Sequence, residues 1–205
     1  MRSPSYFAAA ALVASALVGG SVAQAQAVDP GVAQVSALDD ALLSSMKQGD
    51  ALSAKARYKK LEPTVERVFD FPTMTRYAIG PSWSQFSPAD QHMLIDAFSR
   101  LSIASFAHNF NGYSGEKFEV DPVPANRGVD KIVKTQLVTP KGDPVILNYR
   151  MRLNGGTWRV IDVLLQGTIS QLTIRQSDLA SVVAAGDAKA IAANLNAQAD
   201  KLLAK

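Results

Sequence analysis

Histidine and cysteine set the first limit on the chemistry open to this chain. Its 205 residues include two histidines and no cysteine. A thiol nucleophile, a disulfide framework and a cysteine-based metal site are therefore excluded. A zinc site needs three or four ligands at workable spacing, and two isolated histidines do not supply them. His92 and Asp96 stand four apart on a helical pattern, as a base and its orienting carboxylate would. No nucleophile motif lies beside them, and the same spacing describes an ordinary surface pair. His108 falls near a helix end, where it complements the helix dipole.

Residues 112–116, Gly-Tyr-Ser-Gly-Glu, begin like a nucleophile elbow. That motif requires glycine at its fifth position, between a strand and a helix. Here the fifth residue is Glu116 and the context is helix to strand, so the elbow is rejected. Asp162, in Trp-Arg-Val-Ile-Asp-Val, is the strongest catalytic candidate. If it shares a face with Trp158 and Val160, an apolar surround would raise its pKa and make it a general base. The competing assignment is a strand-end acid paired with Arg150 or Arg152. Those arginines, with Arg159 and Lys134, form a basic stripe on the outer face of a sheet. The stripe lacks the aromatic interleaving of nucleic-acid readers. It reads as a solvated face, or as a docking surface for an acidic partner or lipid head groups. No catalytic residue, metal ligand or cofactor is assigned.

The densest feature is apolar. Residues 69–86, FDFPTMTRYAIGPSWSQF, hold Phe69, Phe71, Tyr77, Trp83 and Phe86 in a chain that is 7% aromatic. Pro72, Gly80 and Pro81 interrupt the run. A core explains part of this concentration, and a binding cavity would explain more.

The elements that must position these rings are legible from periodicity. Val32, Val35, Leu38, Leu42, Leu43 and Met46 recur at helical spacing, with Gly49 closing the segment. A second helix is expected over 50–68, with Pro63 able to bend or split it. Ser87-Pro88-Ala89-Asp90 combines an N-cap, a first-turn proline and an acid, and opens a helix reaching Asn109. Met93, Leu94, Ala97, Phe98, Leu101 and Ala104 share its broad face, and Ile95, Ile103, Phe106 and Phe110 add apolar surface elsewhere. Four β-type runs follow, at 117–123, 131–139, 145–153 and 157–166, separated by Pro, Gly and Asn turns. In the third, Val145, Leu147, Tyr149, Met151 and Leu153 alternate with Asn148, Arg150 and Arg152. Asn154-Gly155-Gly156 makes a hairpin to the fourth. Helices at 169–185 and 187–204, separated by Gly186, close the chain. The expected class is α+β, with helices packed on a curved antiparallel sheet of about four strands.

Residues 1–27 read as a cleavable secretory signal. Arg2 supplies a positive start, Phe7 to Gly20 is uncharged and apolar or small, and Ala-x-Ala cleavage patterns follow at Ala23/Ala25 and Ala25/Ala27. The apolar run is shorter than the roughly 20 residues that span a bilayer, although a retained anchor is the alternative. In a double-membraned bacterium the product is periplasmic. Residues 28–205 then form one domain with enough length for a real core. Losing Arg2 lowers the formal charge from +3 to +2, which implies no nucleic-acid partner.

Taken together, "FDFPTMTRYAIGPSW", "SPADQHMLIDAFSRL", "YSGE" and "YRMR…GGTWRVIDV" resemble the MlaC family of periplasmic lipid-binding proteins, from about Phe69 to Ala185. The resemblance implies a cone of helices and curved sheet, similar to nuclear-transport-factor-like and cystatin-like folds, with an apolar cavity for lipid acyl chains. It implies a monomeric, non-enzymatic carrier moving phospholipid or hopanoid between an inner-membrane complex, ABC-type or RND-type, and outer-membrane lipoprotein machinery. After Gly167 the chain runs "TISQLTIRQSDLASVV", without the aromatic common in the phospholipid branch. That stretch is closer to the hopanoid-associated HpnM branch. Under this resemblance Phe69, Phe71, Met74 and Tyr77 would line the cavity, and Phe98, Leu101, Tyr149, Met151 and Trp158 would complete it. For each, ordinary core packing is the alternative. Two other readings stand beside the carrier: a cone-fold enzyme using Asp162, and a non-carrying adaptor of a membrane transport complex.

Overall fold

A computed structural model describes residues 27–204. The signal expected over 1–27 lies outside the described residues except for its last position.

Helix α1, Pro30–Met46, starts where Asp29 accepts hydrogen bonds from the amides of Gly31 (2.7 Å) and Val32 (3.2 Å), with proline in the first turn. Its buried side carries Val32, Val35, Leu38, Asp39, Leu42, Ser45 and Met46. A short 3-10 turn, Gly49–Ala51, precedes α2, Ala54–Val68. The helix begins later than position 50 because Ser53 Oγ accepts the amide of Ala56 and fixes the start. Pro63 is carried within α2 without ending it.

The aromatic segment contains a helix that its proline and glycine signals obscured. Asp70 caps α3, Phe71–Ile79, through the Thr73 amide, and Pro72 occupies the first turn. Gly80 leaves this helix at φ 69°, a conformation that disfavours a side chain, and a 3-10 stretch, Gly80–Gln85, follows. Helix α4, Pro88–Asn109, starts on the Ser87 cap and ends where periodicity placed it. Helices α5, Gln171–Ala184, and α6, Ala188–Leu203, flank Gly186.

The four β-type runs supply five strands of one seven-stranded antiparallel sheet; two further short strands lie outside them, one at 125–127 and one at 169–170, where a helix start was expected. The seven are β1 Lys117–Val120, β2 Ala125–Arg127, β3 Asp130–Val133, β4 Thr135–Val138, β5 Val145–Asn154, β6 Thr157–Leu165 and β7 Ile169–Ser170. β5 lies against β3 and β4 on one edge and β6 on the other. The run at 131–139 divides at Lys134. There the Thr135 amide donates to Asn148 Oδ1 (3.3 Å) and its hydroxyl donates to the Leu147 carbonyl (2.6 Å), so side chains replace ladder bonds.

A bulge resets the register of β6. Met151 is opposite Val160 but Arg150 is opposite Asp162, which leaves Ile161 as the extra residue. Val163 thereby lies opposite Tyr149 and keeps the register face of Val160, while Asp162 falls to the face of Arg150. The expected sharing of a face by Asp162, Trp158 and Val160 is corrected on this ground.

Helix α1 packs on β1, β3 and β6, with α2 against α1 and α4 against both α2 and α6. Helices α3 and α5 pack together beside β6. One apolar cluster runs through these contacts. It includes Val35, Leu38, Leu61, Val65, Phe98, Leu101, Tyr149, Met151, Ile191 and Leu195.

Candidate functional site

Six of the chain's eight phenylalanines form a continuous seam. From the core outward, ring centroids are separated by 6.4 Å for Phe98–Phe71, 5.7 Å for Phe71–Phe69 and 5.5 Å for Phe69–Phe106. The series continues at 5.9 Å for Phe106–Phe110 and 6.1 Å for Phe110–Phe118. Such pairs contribute about 0.5–1.5 kcal/mol each beyond area burial. The first three rings are buried, whereas Phe106, Phe110 and Phe118 are half-buried. The seam thus runs from a sealed interior toward the surface beside β1.

Its members come from four places. Phe69 is the extended residue that ends α2, Phe71 opens α3, Phe98, Phe106 and Phe110 follow α4, and Phe118 sits on β1. Of the side chains assigned to the cavity from sequence, Phe69, Phe71, Met74, Phe98, Leu101, Tyr149 and Met151 are brought into one buried cluster. Each of them is at most 7% exposed. Phe106, Phe110 and Phe118 were not assigned. A helical-wheel reading spread the first two over a second face of α4, and only tertiary packing joins them to Phe118.

Two assigned residues sit apart. Tyr77 is 48% exposed, and its hydroxyl accepts a hydrogen bond from Arg152 Nη1 at 2.9 Å. Trp158 is half-buried against the core, with the Lys131 ammonium 3.9 Å from its ring centroid. Lys131 also reaches Asp29 at 2.7 Å, so this cation–π contact ties the start of α1 to β3 and β6.

The polar candidates resolve into structural roles. Asp162 is buried, but its two oxygens accept the Ser170 hydroxyl (2.6 Å) and the Leu172 amide (3.0 Å), anchoring the start of α5. It pairs with neither Arg150 nor Arg152. Those arginines converge instead on the buried Asp130, through Arg150 Nε (2.7 Å) and Arg152 Nε (2.6 Å). Burial alone would raise the Asp130 carboxyl. The hydrogen bonds and charges of Arg152 and Arg150 outweigh it and hold the group below the usual carboxylate range. Two of the four members of the expected basic stripe are therefore tied to a single carboxylate within the sheet, which offsets one of their two charges. His92 and Asp96 are both exposed on α4 with no bond between them.

Other buried polar groups are left without partners. Both carboxyl oxygens of Asp39, Ser45 Oγ and the Tyr149 hydroxyl have no hydrogen bond. Burial pushes the Asp39 carboxyl up to about 8, with the charge of Asp40 adding to the effect. The Tyr149 phenol is raised for the same reason, desolvation first and then the charge of Asp39. Each unsatisfied group costs about 1–3 kcal/mol relative to a partnered one.

Two surface pockets lie away from the seam. One, of about 490 Å³, is lined mainly by polar residues in and beside β1, β4 and β5, among them Glu119, Asp121, Lys134 and Gln136. The other, of about 210 Å³, lies between Tyr77, Arg150, Asp162 and Thr173. No described helix is long and apolar enough to cross a membrane.

Six helices on an open antiparallel sheet, with an aromatic seam between the layers, place the described chain in the α+β class. Within that class the chain belongs to the MlaC family: the family model described as MlaC protein matches residues 36–197. The fold is similar to that of the phospholipid-binding protein from Ralstonia solanacearum, solved in complex with a phospholipid. The similarity covers 86% of this chain and 100% of that one, with a TM-score of 0.73 and 23% sequence identity. No curated protein matches the chain.

Proposed function

We propose that this chain is an exported lipid carrier that holds acyl chains along the phenylalanine seam and moves the lipid through the periplasm between membrane complexes. The observation that carries this reading is the seam itself: an unbroken line of rings from the core to the half-buried Phe106–Phe110–Phe118 end. Membership of the MlaC family supports it, as does a similar fold solved with a phospholipid. The site then comprises Phe69, Phe71, Met74, Phe98, Leu101, Tyr149 and Met151, with Phe106, Phe110 and Phe118 at its entrance and Tyr77 and Trp158 at its margins. Either phospholipid or hopanoid suits such a track.

The magnitudes fit a carrier. Burying a chain of about fifteen methylenes contributes on the order of 12 kcal/mol gross at ~0.8 kcal/mol per methylene. A grip of that size makes unaided release slow, so unloading requires a membrane partner: an ABC-type or RND-type inner-membrane complex or an outer-membrane lipoprotein complex. Asp162 offers no general base in this reading, because its oxygens are taken by Ser170 and Leu172.

Incubation of delipidated protein with vesicles containing labelled phospholipid, followed by separation, tests the binding step. Labelled lipid eluting with the protein at one molecule per chain is the expected result. One observation favours the adaptor reading instead, namely that the candidate lining is packed shut, with Tyr149, Met151 and Leu101 at most 2% exposed. Protein that takes up no lipid from any vesicle would decide for the adaptor.

A further inference from the structure

Two tight turns meet at one end of the sheet. Asp130 faces Arg152 across β3 and β5, so the Gly128–Val129 turn lies beside the Gly155–Gly156 hairpin at the Asn154 end of β5. Both turns project, because a Cβ added at Gly128, Gly155 or Gly156 would meet no atom within 4 Å. Apolar side chains gather there. Val129 is 77% exposed and Leu153 51%, and Val28, next to the Asp29 that bonds Lys131, is 67% exposed. With Tyr77, held by Arg152, these are four of the eight well-exposed large hydrophobics among the described residues. Such residues scattered singly need no explanation, but half of them at one end does.

Behind the turns stands a row of guanidinium groups. Arg127, Asp130, Arg152 and Arg159 pair in register across β2, β3, β5 and β6, so the three arginines share one face over about 14 Å. Arg150 lies two residues along β5 and also bonds Asp130. The only acids in these four strands, Asp130 and Asp162, are buried, and Asp162 is held by Ser170 and Leu172. Arg127 and Arg159 form no ion pair among the described residues. Four arginines against two carboxylates leave these strands with a positive face.

We propose that this end of the sheet is a membrane-contact rim that rests on an anionic phospholipid bilayer. Val129 and Leu153 enter the head-group layer, and Arg127 and Arg159, which lack an acid partner, meet lipid phosphates. Guanidinium groups suit phosphate because they bind it through two parallel hydrogen bonds. The order in depth also fits. Val129 lies two residues beyond Arg127, Leu153 one beyond Arg152, and Trp158 one nearer the hairpin than Arg159. At about 3.3 Å per residue, turns that settle about 5–10 Å deep at the head-group boundary bring the arginines level with the phosphates. A protein partner would need a cleft to receive two projecting turns, whereas a bilayer admits them without one. The rim is an attachment and not the lipid entrance. The seam surfaces at Phe118 on β1, which reaches β5 through β4 at the opposite, Val145 end. The inference therefore goes beyond the carrier reading and does not depend on it.

Sedimentation with vesicles tests it. Wild-type protein should sediment with vesicles of equal parts phosphatidylethanolamine and phosphatidylglycerol, less as salt rises, and should stay in solution with phosphatidylcholine vesicles. Arg127→Gln and Arg159→Gln should each weaken binding about fivefold, the worth of one cation at an anionic surface. Val129→Ser should weaken it by a similar factor, about that of a partly buried valine. Lys55→Gln, the same charge change at the exposed start of α2, should change it little. All four side chains are exposed or half-buried, so each variant keeps the fold. Equal binding to both kinds of vesicle, an equal loss in Lys55→Gln, or an effect of the arginines without one of Val129 would overturn the inference. So would no binding to the anionic vesicles, which would leave the arginine row to an acidic protein. Lipid carried into the supernatant reports the carrier function separately, so the two readings can fail independently.

Discussion

Phe69 pairs with Val160 as an isolated parallel bridge, and the amide of Asp70 donates to the Val160 carbonyl at 2.9 Å. The link between α2 and α3 therefore acts as a short extra strand on the edge of β6 that farther along carries β7. It fixes Phe69 and Phe71 on the seam, in line with Val160, Met151 and Lys131 across the sheet. Asp70 completes the joint. Its carboxylate accepts from the Thr73 amide (3.1 Å), the Thr73 hydroxyl (2.8 Å) and Asn154 Nδ2 (3.0 Å).

Asp70→Ala removes the helix cap and leaves three donors unanswered. Loss of a cap costs about 0.5–2 kcal/mol, and the unanswered donors of the half-buried Thr73 add to that, while the exposed Asn154 turns to water. A loss of about 2–4 kcal/mol in urea denaturation is expected, with lipid uptake reduced because Phe69 and Phe71 lose their anchor. Full stability in this variant would show that the joint is held elsewhere.

Asp39 gives a pH signature. Its folded carboxyl lies near 8, above the ordinary value of 3.8, so between those limits the folded chain binds a proton that the unfolded chain has released. Its contribution to stability is greatest below pH 3.8, falls as pH rises toward 8, and is flat beyond. Asp39→Asn should abolish that slope, of at most ~1.4 kcal/mol per pH unit, and stabilise the protein at pH 8. Thermal melts across this range, wild type against variant, provide the check.

Asp130 has the opposite sign. Its carboxyl is held low by Arg152 and Arg150, so its contribution is present above the unfolded value and is lost as pH falls through the folded one. Asp130→Asn strands two arginines that remain about a third exposed. It should cost about 2–4 kcal/mol, below the 3–5 kcal/mol expected for a fully buried pair. Chemical denaturation at pH 7 measures the loss, and the acid limb of the wild-type profile should flatten in the variant.

The sequence showed the elements better than the site. Ser87 and Pro88 marked the start of α4, and the alternation of Tyr149 and Met151 identified a half-buried strand, because both signals are local. Helix α3 was missed since Pro72 and Gly80 read as breaks, although Asp70 followed by a first-turn proline is also a helix start. The face of Asp162 was misassigned because the bulge at Ile161 depends on pairing with β5 and not on the strand's own pattern. Tyr77 looked like lining, yet Arg152, 75 residues away in sequence, draws its hydroxyl to the surface. Phe106 and Phe110 read only as extra apolar surface and Phe118 was not assigned, for the same reason: only the packed chain brings a helix and a strand together into a seam.

Phe106→Ala separates seam from core. Truncating this half-buried ring should cost about 2–4 kcal/mol, near the lower end for buried phenylalanine. Leu61→Ala, buried between α2 and its neighbours and outside the seam, should cost a similar amount. Lipid affinity should fall more in Phe106→Ala than in Leu61→Ala. Equal loss of affinity in the two would mean that binding merely follows stability.

The most direct measurement is native mass spectrometry, with lipid extraction, on the protein purified from the cell that makes it. The account predicts a mass increment of one lipid per chain, released intact on extraction and identified as a phospholipid or hopanoid. Protein of bare polypeptide mass, unchanged after incubation with membranes, would contradict the carrier role and return the six phenylalanines to an ordinary core.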